Sequence, residues 1–261
     1  MAQAASGRRQ KRQSKQALRQ LMVDAGRAIV NEEGIETSSN NLTFKRVFER
    51  VERDTGRHLT NASIIKRIWE NQSDYQADVL VAIAHDEGRP EIEGTLDVVR
   101  SVIDGIDRSS VEGRMRGMSQ LCRVAGDANR QVLAASTSRS LWISVMAIAS
   151  TSSNEEQRNR MCDALAEGYD TVTDFWAGVY SGLIAFLGLR VREPRTVRQF
   201  VLAATSVSEG DILRYNILRE MPTLMLPSGP GGECQEWSLF ALSIEALALQ
   251  FFEPDPDFVA P

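Results

Sequence analysis

The chain has 261 residues, of which 43% are apolar and 25% are charged, and its net charge at pH 7 is −5. This composition is typical of a soluble globular protein and excludes a disordered chain, a collagen-like repeat and a disulfide scaffold. The three cysteines are widely spaced, which favours free thiols in a reducing cytoplasm. The basic N-terminus has no apolar segment after it, so no secretory signal is predicted. No apolar run is long enough to predict a membrane span.

The charge is unevenly distributed along the chain. Residues 1–85 contain fourteen Lys and Arg against ten Asp and Glu, a net charge of +4, which leaves −9 for the remainder. A basic first third on an acidic body suggests a polyanionic partner at one end of the molecule. Residues 1–14 form a basic arm, which either follows a nucleic acid or is an idle solubilising tail.

Apolar residues recur at helical spacing along nearly the whole chain and predict an all-α fold. In the first third they form four stripes, Leu18–Ile29, Phe44–Val51, Ile64–Trp69 and Tyr75–Ile83. Thr43 is placed to cap the second stripe at its N-terminus, and Gly34 and Gly56 are placed to end the first and second. The segment Asp86–Pro90 is predicted to be a hinge between domains, because Gly and Pro punctuate it. Asp127 is predicted to cap a long apolar helix that runs through Leu141 to Ala149, Pro222–Glu233 to be a loop and Trp237–Phe252 to be the last helix.

The second and third stripes are short and adjacent, which is the layout of a helix-turn-helix within a helical bundle. The third stripe turns its isoleucines and Trp69 inward and a polar set outward: Asn61, Ala62, Ser63, Lys66 and Arg67. Asn pairs with adenine, Arg and Lys pair with guanine, and Ala contacts the thymine methyl group, so this set suits a DNA major groove. The alternative is the solvated face of an ordinary amphipathic helix.

Residues 15–85 resemble the DNA-binding domain of TetR-family transcriptional regulators. The resemblance is carried by Ala25–Gly34, by Leu42 with Thr43, and above all by Ala62–Trp69 followed by Glu70–Tyr75. Weaker support comes from Val207–Arg214, which is similar to a Glu-Gly stretch in some actinobacterial members.

The resemblance implies an N-terminal three-helix DNA-binding domain at residues 15–87 and a larger effector-binding and dimerisation domain at residues 88–261. The implied function is that of a sequence-specific regulator, a homodimeric repressor that reads an inverted-repeat operator and is released by a small-molecule effector. The alternative is an all-α ligand-binding or scaffold dimer that has lost specific DNA binding, which the long turn before the third stripe favours. The expected DNA contacts are Arg8, Arg9, Arg12, Thr43, Lys45, Asn61, Ala62, Ser63, Lys66 and Arg67.

Two further sets of residues are predicted in the larger domain. Aromatic side chains and a methionine at helical spacing suit an apolar ligand pocket, although such residues more often belong to a plain core: Trp142, Met146, Tyr169, Phe175, Trp176 and Tyr180. The last helix is apolar almost all round and therefore needs burial on two sides. Dimerisation with the preceding helix provides that burial, and packing within one subunit is the alternative; the residues are Phe200, Val207, Trp237, Phe240, Ile244, Leu247 and Phe251.

Catalytic and metal-binding motifs are absent from the sequence. The two histidines, His58 and His85, have no partner at metal-ligand spacing. The glycines of Gly229–Gly232 lack the Lys-Ser or Lys-Thr of a phosphate-binding loop. The sequence therefore predicts no enzyme, no metal and no cofactor.

Overall fold

The computed structural model describes residues 15–35, 41–60, 68–86 and 93–260. The chain is mostly α-helical within these ranges, which confirms the predicted fold class. The helices are α1 (Lys15–Glu33), α2 (Phe44–Thr55), α3 (Gln72–Asp86), α4 (Glu93–Ile103), α5 (Val111–Ala135), α6 (Thr137–Thr151), α7 (Glu155–Phe186), α8 (Val197–Leu218) and α9 (Leu239–Phe251).

These elements belong to two compact units. The first unit holds the described residues up to Asp86 together with Ser144–Ala166, and the second holds those of Glu87–Ile143 and Glu167–Pro261. Helices α6 and α7 therefore each contribute residues to both units. A functional division near residue 87 stays a prediction, and residues 87–90 of the predicted hinge lie outside the described ranges.

In the first unit, α1 packs against both α2 and α3. The ends of α2 were predicted correctly: the Thr43 hydroxyl accepts a hydrogen bond from the Arg46 amide, and Gly56 ends the helix with a left-handed φ of 68°. Gly34, after α1, also has a positive φ. The core between the three helices consists of fully buried side chains, namely Met22, Val30, Leu42, Val47, Val51, Tyr75 and Val79.

Gly26 allows α1 and α3 to approach closely. A Cβ atom at this position would lie 2.2 Å from the Tyr75 hydroxyl oxygen and 2.8 Å from a methyl carbon of Val79. Both distances are far inside van der Waals contact, so any larger residue would force the helices apart. The need for glycine here is steric and does not arise from an unusual backbone conformation.

In the second unit, α5 packs against α4, α8 and α9. Gly126 of α5 faces α9, where an added Cβ would lie 3.2 Å from the Ala241 Cα atom. The core is one apolar cluster, comprising Val99, Met118, Leu121, Leu187, Leu189, Phe200, Val201, Ala204, Phe240, Ile244, Ala248 and Phe252.

Helices α5 and α6 are the nearest match to a membrane-spanning segment in the described ranges. No single helix there is long and apolar enough to cross a membrane, and α5 and α6 reach that length and hydropathy only as a pair bent by 75°. Both helices bury side chains within the protein, including those of Leu121, Leu141 and Val145.

Two small antiparallel sheets correct the prediction for the C-terminal third. Strands β1 (Leu189–Val191) and β4 (Phe252–Pro254) pair with each other, as do β2 (Thr223–Pro227) and β3 (Cys234–Ser238). The predicted loop is therefore partly a hairpin, whose tip uses the positive φ angles of Gly229 and Gly231. Because β2 is exposed at nearly every position, it lacks the alternating apolar pattern that identifies a strand.

Two predicted helix boundaries were also wrong. The last helix begins at Leu239, because Ser238 is its N-cap and accepts a hydrogen bond from the Ala241 amide, so Trp237 lies in β3. Asp127 does not start a helix: it lies inside α5 and accepts a hydrogen bond from the Ser238 hydroxyl. Helix α6 begins after Ser136, whose hydroxyl accepts from the Arg139 amide.

Candidate functional site

Most of the predicted DNA contacts lie outside the described residues, namely Arg8, Arg9, Arg12, Asn61, Ala62, Ser63, Lys66 and Arg67. The other two are at the start of α2. Thr43 uses its hydroxyl to cap the helix. Lys45 is exposed, and its amine lies 3.9 Å from the Glu49 carboxylate. Such a surface ion pair is weak, so the lysine remains available to a phosphate.

Trp69 anchors the chain directly after the predicted recognition residues. Its side chain is buried, and the indole Nε1 donates a hydrogen bond of 2.6 Å to Asp78 Oδ2. The ring also packs edge-on against Tyr75, with ring centroids 4.9 Å apart. A buried indole needs a hydrogen-bond acceptor, so this contact fixes both the position and the orientation of the tryptophan.

Asp78 is the centre of a buried charge cluster, the Asp78 cluster, formed with Trp69, Arg19 and Arg160. Its carboxylate accepts a hydrogen bond of 2.7 Å from Arg19 Nε and a further bond from Arg160 Nη2. Asp78 therefore links α3 to α1, to Trp69 and to the first turns of α7. Sequence reasoning missed this residue; the available signal was a carboxylate inside an otherwise apolar stretch of α3.

Tyr75 makes a second link between α3 and α1. Its hydroxyl donates a hydrogen bond of 2.9 Å to the Met22 carbonyl, and burial raises the pKa of the phenol well above its ordinary value. Its ring lies 5.2 Å from that of Phe44. The first turn of α2 is therefore held by aromatic packing as well as by its cap.

Two other basic residues of α2 are occupied by carboxylates at the end of α1. Arg46 donates to Glu33 at 2.7 Å, and Arg50 donates to Glu32 at 2.6 Å and also to Asp54. The hydrogen bonds from Arg50 hold the pKa values of Glu32 and Asp54 below their ordinary values. Both arginines therefore fix the angle between α1 and α2, which leaves Lys45 as the more accessible cation of this turn.

The six predicted ligand-binding residues do not form one group in the structure. Trp142 and Tyr169 meet edge-on at 5.3 Å in the second unit. Phe175, Trp176 and Tyr180 instead form a separate ladder of rings along α7. The ladder continues from Tyr180 to Phe200, at 4.9 Å, and so joins the apolar core. Met146 belongs to the first unit.

Tyr169 belongs to a second, largely buried charge cluster, the Glu209 cluster, formed with Glu209 and Arg139. The Tyr169 hydroxyl donates a 2.7 Å hydrogen bond to Glu209 Oε1, and Arg139 Nη2 donates to the same oxygen at 2.9 Å. Burial and the adjacent carboxylate raise the pKa of the tyrosine. Glu209 is the acid of the Glu-Gly stretch noted in the sequence, so that stretch has a structural role within the unit.

The residues predicted at a dimer interface are mostly core residues of the subunit itself. Four of them are buried within the second unit: Phe200, Trp237, Phe240 and Ile244. Val207, Leu247 and Phe251 are partly buried and pack against the same core. These side chains point inward because α9 finds its apolar partners on α5 and α8 of its own chain.

Helices α8 and α9 nevertheless present other apolar side chains at the surface. Leu202, Leu213 and Ile217 are exposed on α8, the last of them by 70%, and Leu249 is exposed on α9. The three residues of α8 share one face, since eleven and four residues correspond to whole helical turns. We call these four residues the α8–α9 apolar patch. Sequence periodicity missed the patch because both helices are apolar on more than one side.

Comparison with known proteins found no matching family model and no matching curated protein. Among solved structures, the chain is similar to that of SmeT, the repressor of the Stenotrophomonas maltophilia multidrug efflux pump SmeDEF. The two chains are 15% identical, the match covers 95% of this chain and 96% of SmeT, and the TM-score is 0.41.

Proposed function

We propose that this chain is a sequence-specific DNA-binding transcriptional regulator of the TetR type, and within that family of the actinobacterial subgroup that Val207–Arg214 resembles. One observation carries the proposal: residues 61–67, whose polar side chains suit a major groove, lie between two fixed points. On one side is α2, capped by Gly56, and on the other is Trp69, held by Asp78. A recognition segment needs such rigid flanks, because base contacts require precise positions.

In this proposal, residues 61–67 form the helix that enters the major groove. Lys66 and Arg67 read base edges, while Asn61, Ala62 and Ser63 contact bases or phosphates near the start of the helix. Thr43 and Lys45, at the start of α2, contact phosphates that fix the register. The basic arm at Arg8, Arg9 and Arg12 follows the backbone or enters the minor groove.

The regulator acts as a homodimer and a repressor in the cytoplasm, and its α8–α9 apolar patch forms the interface. Isologous pairing of two helices from each subunit buries Leu213 and Ile217 and places two recognition segments on one face of the DNA. An inverted-repeat operator follows from that twofold symmetry. A small-molecule effector releases the repressor by binding more tightly to a state with wrongly spaced recognition segments. The Trp142–Tyr169 pair and the Phe175–Tyr180 ladder remain proposed contacts for it.

The test is a genomic selection. The purified chain is incubated with sheared genomic DNA of its source at near-physiological salt, and the retained fragments are sequenced. We expect enrichment of a short inverted repeat. Arg67→Ala should weaken binding to it by roughly tenfold to a hundredfold, which corresponds to the 1–3 kcal/mol of a base contact. The matched control is Arg100→Ala, at an exposed arginine of α4 that pairs with Asp97.

Two results would contradict the proposal. Binding without enrichment that disappears as salt rises is nonspecific polyanion affinity, and it would favour the alternative of a ligand-binding or scaffold dimer. If Arg67→Ala and Arg100→Ala bind the selected DNA equally well, residues 61–67 do not form the DNA interface. A third variant, Ile217→Glu, should abolish the enrichment of the inverted repeat while leaving the monomer folded, because a surface charge disrupts an apolar dimer contact.

A further inference from the structure

A cleft in the second unit contains none of the residues predicted to contact DNA, an effector or a second subunit. Its walls are α5, the turn before α5 and the tip of the β2–β3 hairpin, and its volume is about 310 Å³. That volume is at the lower end of the range for sites that hold small molecules. The lining residues with polar side chains that matter below are Asp107, Arg116, Gln120, Arg123, Ser228 and Glu233.

Glycines bring the walls of the cleft together. A Cβ atom on Gly117 would lie 2.3 Å from Ile106 Cγ2, so the turn before α5 sits directly on the helix at this point. On the other side, Gly229 has a φ of +77°, and an added Cβ would lie 2.9 Å from the Arg116 Cα atom. The hairpin tip therefore rests on the backbone of α5, and the shape of the cleft depends on both contacts.

One wall of the cleft is a row of long hydrogen-bond donors. Arg116, Gln120 and Arg123 are spaced i, i+4 and i+7 on α5, so they lie on the same face of the helix. Arg116 Nη1 donates a 3.2 Å hydrogen bond to the Pro230 carbonyl, which holds this guanidinium at the hairpin tip. A guanidinium has five N–H donors, so most of those of Arg116 still remain for a ligand.

Two acidic residues, Asp107 and Glu233, also line the cleft, and their charges balance those of Arg116 and Arg123. Asp107 accepts hydrogen bonds from the Ser109 amide and hydroxyl and from the Ser110 hydroxyl, at 2.9, 2.6 and 3.1 Å. These bonds, with a smaller contribution from the charge of Arg116, lower the pKa of Asp107 below its ordinary value. Asp107 therefore stays ionised, and hydrogen bonds within the turn use most of its acceptor capacity. Glu233 is an exposed residue at the hairpin tip.

Two lining residues contain buried polar atoms that are unpaired among the described residues. They are Nε of Arg123 and the hydroxyl oxygen of Ser228, one on α5 and one on the hairpin. A buried donor without an acceptor is unfavourable, so an accepting group that reaches this atom relieves that cost. Carboxylates and phosphates accept several hydrogen bonds and favour arginine as a partner.

We propose that this cleft binds a small polar metabolite through its carboxylate or phosphate group, held by Arg116, Gln120 and Arg123 with the hairpin tip as a lid. Anion binding at this place is independent of any DNA. The further step, in which the bound anion is the effector, rests on the proposed function.

The experiment is isothermal titration of the full chain without DNA. Succinate and inorganic phosphate are the two probes, and succinamide is the neutral counterpart of succinate; ionic strength is held constant with sodium chloride. We expect saturable binding of at least one anion and none of succinamide. Gln120→Glu adds a negative charge at an exposed position of the cleft and should raise Kd by at least about tenfold. Gln131→Glu, the same change at an exposed position of α5 outside the cleft, is the matched control.

The two probes distinguish a carboxylate site from a phosphate site. Succinate binding that Gln120→Glu weakens and Gln131→Glu does not supports a carboxylate site, and the same pattern with phosphate supports a phosphate site. Binding of neither anion, or equal weakening by both variants, overturns the proposal. Arg123→Gln should also weaken binding; if that variant fails to fold, the exposed Gln120 position still decides. If the chain binds the anion but enriches no genomic fragment, the anion site is supported and the proposed regulatory function is contradicted.

Discussion

Each unit contains a carboxylate that holds several partners, buried in the case of Asp78 and largely buried in that of Glu209, and the two differ in what surrounds them. Asp78 accepts from an indole and two arginines, and Glu209 accepts from a phenol and one arginine. The arginines of the Asp78 cluster keep contact with water, since Arg19 is 51% exposed and Arg160 36%. Arg139 of the Glu209 cluster is only 11% exposed.

This difference in exposure sets the role of each cluster. A charge that reaches water loses little when its partner is removed, whereas a buried charge is left uncompensated. The Glu209 cluster therefore matters chiefly for the stability of the second unit. The Asp78 cluster matters chiefly for position, because the buried partner that it holds is Trp69, two residues after the predicted recognition segment.

The largest expected effect is at Glu209. Glu209→Leu leaves Arg139 buried and unpaired and should lower the free energy of unfolding by about 3–5 kcal/mol. The double variant Arg139→Met, Glu209→Leu should recover most of that loss, since an apolar pair of similar size needs no compensation. Denaturant unfolding followed by tryptophan fluorescence measures both. A double variant no more stable than the single one would show that packing, and not the arginine charge, dominates at this site.

A smaller effect on stability, but a larger one on DNA binding, is expected at Asp78. Asp78→Asn still accepts from the Trp69 indole, and both arginines can turn to water, so the loss of stability should be about 1–3 kcal/mol. Because Trp69 loses a charged acceptor, affinity for the selected DNA should fall by more than the loss of folded protein explains. Asp24→Asn, at an exposed carboxylate of α1, is the control. Unchanged affinity in Asp78→Asn would separate this cluster from recognition.

Sequence patterns predicted the helical part of the fold well, because helix caps and apolar spacing are local. Thr43 and Gly56 were identified as the ends of α2, and both act there. The β2–β3 hairpin was missed because its strands are short, β2 is largely exposed and β3 is buried only at its end, so no alternating pattern identifies them. Asp127 was mistaken for a cap because its actual partner, Ser238, is distant in the sequence.

The candidate sites were less predictable, because they depend on which side chains meet across helices. Phe240 and Ile244 were identified as apolar and buried, but periodicity cannot distinguish a subunit core from a dimer interface. Asp78 and Glu209 each join residues far apart in the sequence, and a pattern in one helix does not reveal its partners. The cleft on α5 needs the hairpin tip, which a sequence without strand signals cannot place.

An exposed pair of carboxylates provides the contrast to the two buried ones. Glu32 at the end of α1 and Asp54 on α2 both accept from Arg50, and these hydrogen bonds lower their pKa values from ordinary values of 4.5 and 3.8. A carboxyl group with a lowered pKa in the folded state binds protons more readily when unfolded. It therefore stabilises the fold at pH values above its unfolded pKa, and that stabilisation disappears as the pH falls through the folded value.

The first unit should accordingly lose stability as the pH falls from about 5 towards 3, and Arg50→Met should flatten that dependence. The effect should be the smallest of the three, because both carboxylates are exposed and solvent screens their interaction with the guanidinium. Thermal unfolding at a series of pH values measures it, with Lys45→Met as a control at a lysine whose pairing with Glu49 is loose. Added salt should reduce the slope of the parent chain towards that of Arg50→Met, since screening acts on exposed pairs more than on buried ones. If neither salt nor Arg50→Met changes the pH dependence of stability, groups other than Glu32 and Asp54 cause the acid sensitivity. The α1–α2 angle would then depend on the aromatic packing of Phe44 and Tyr75.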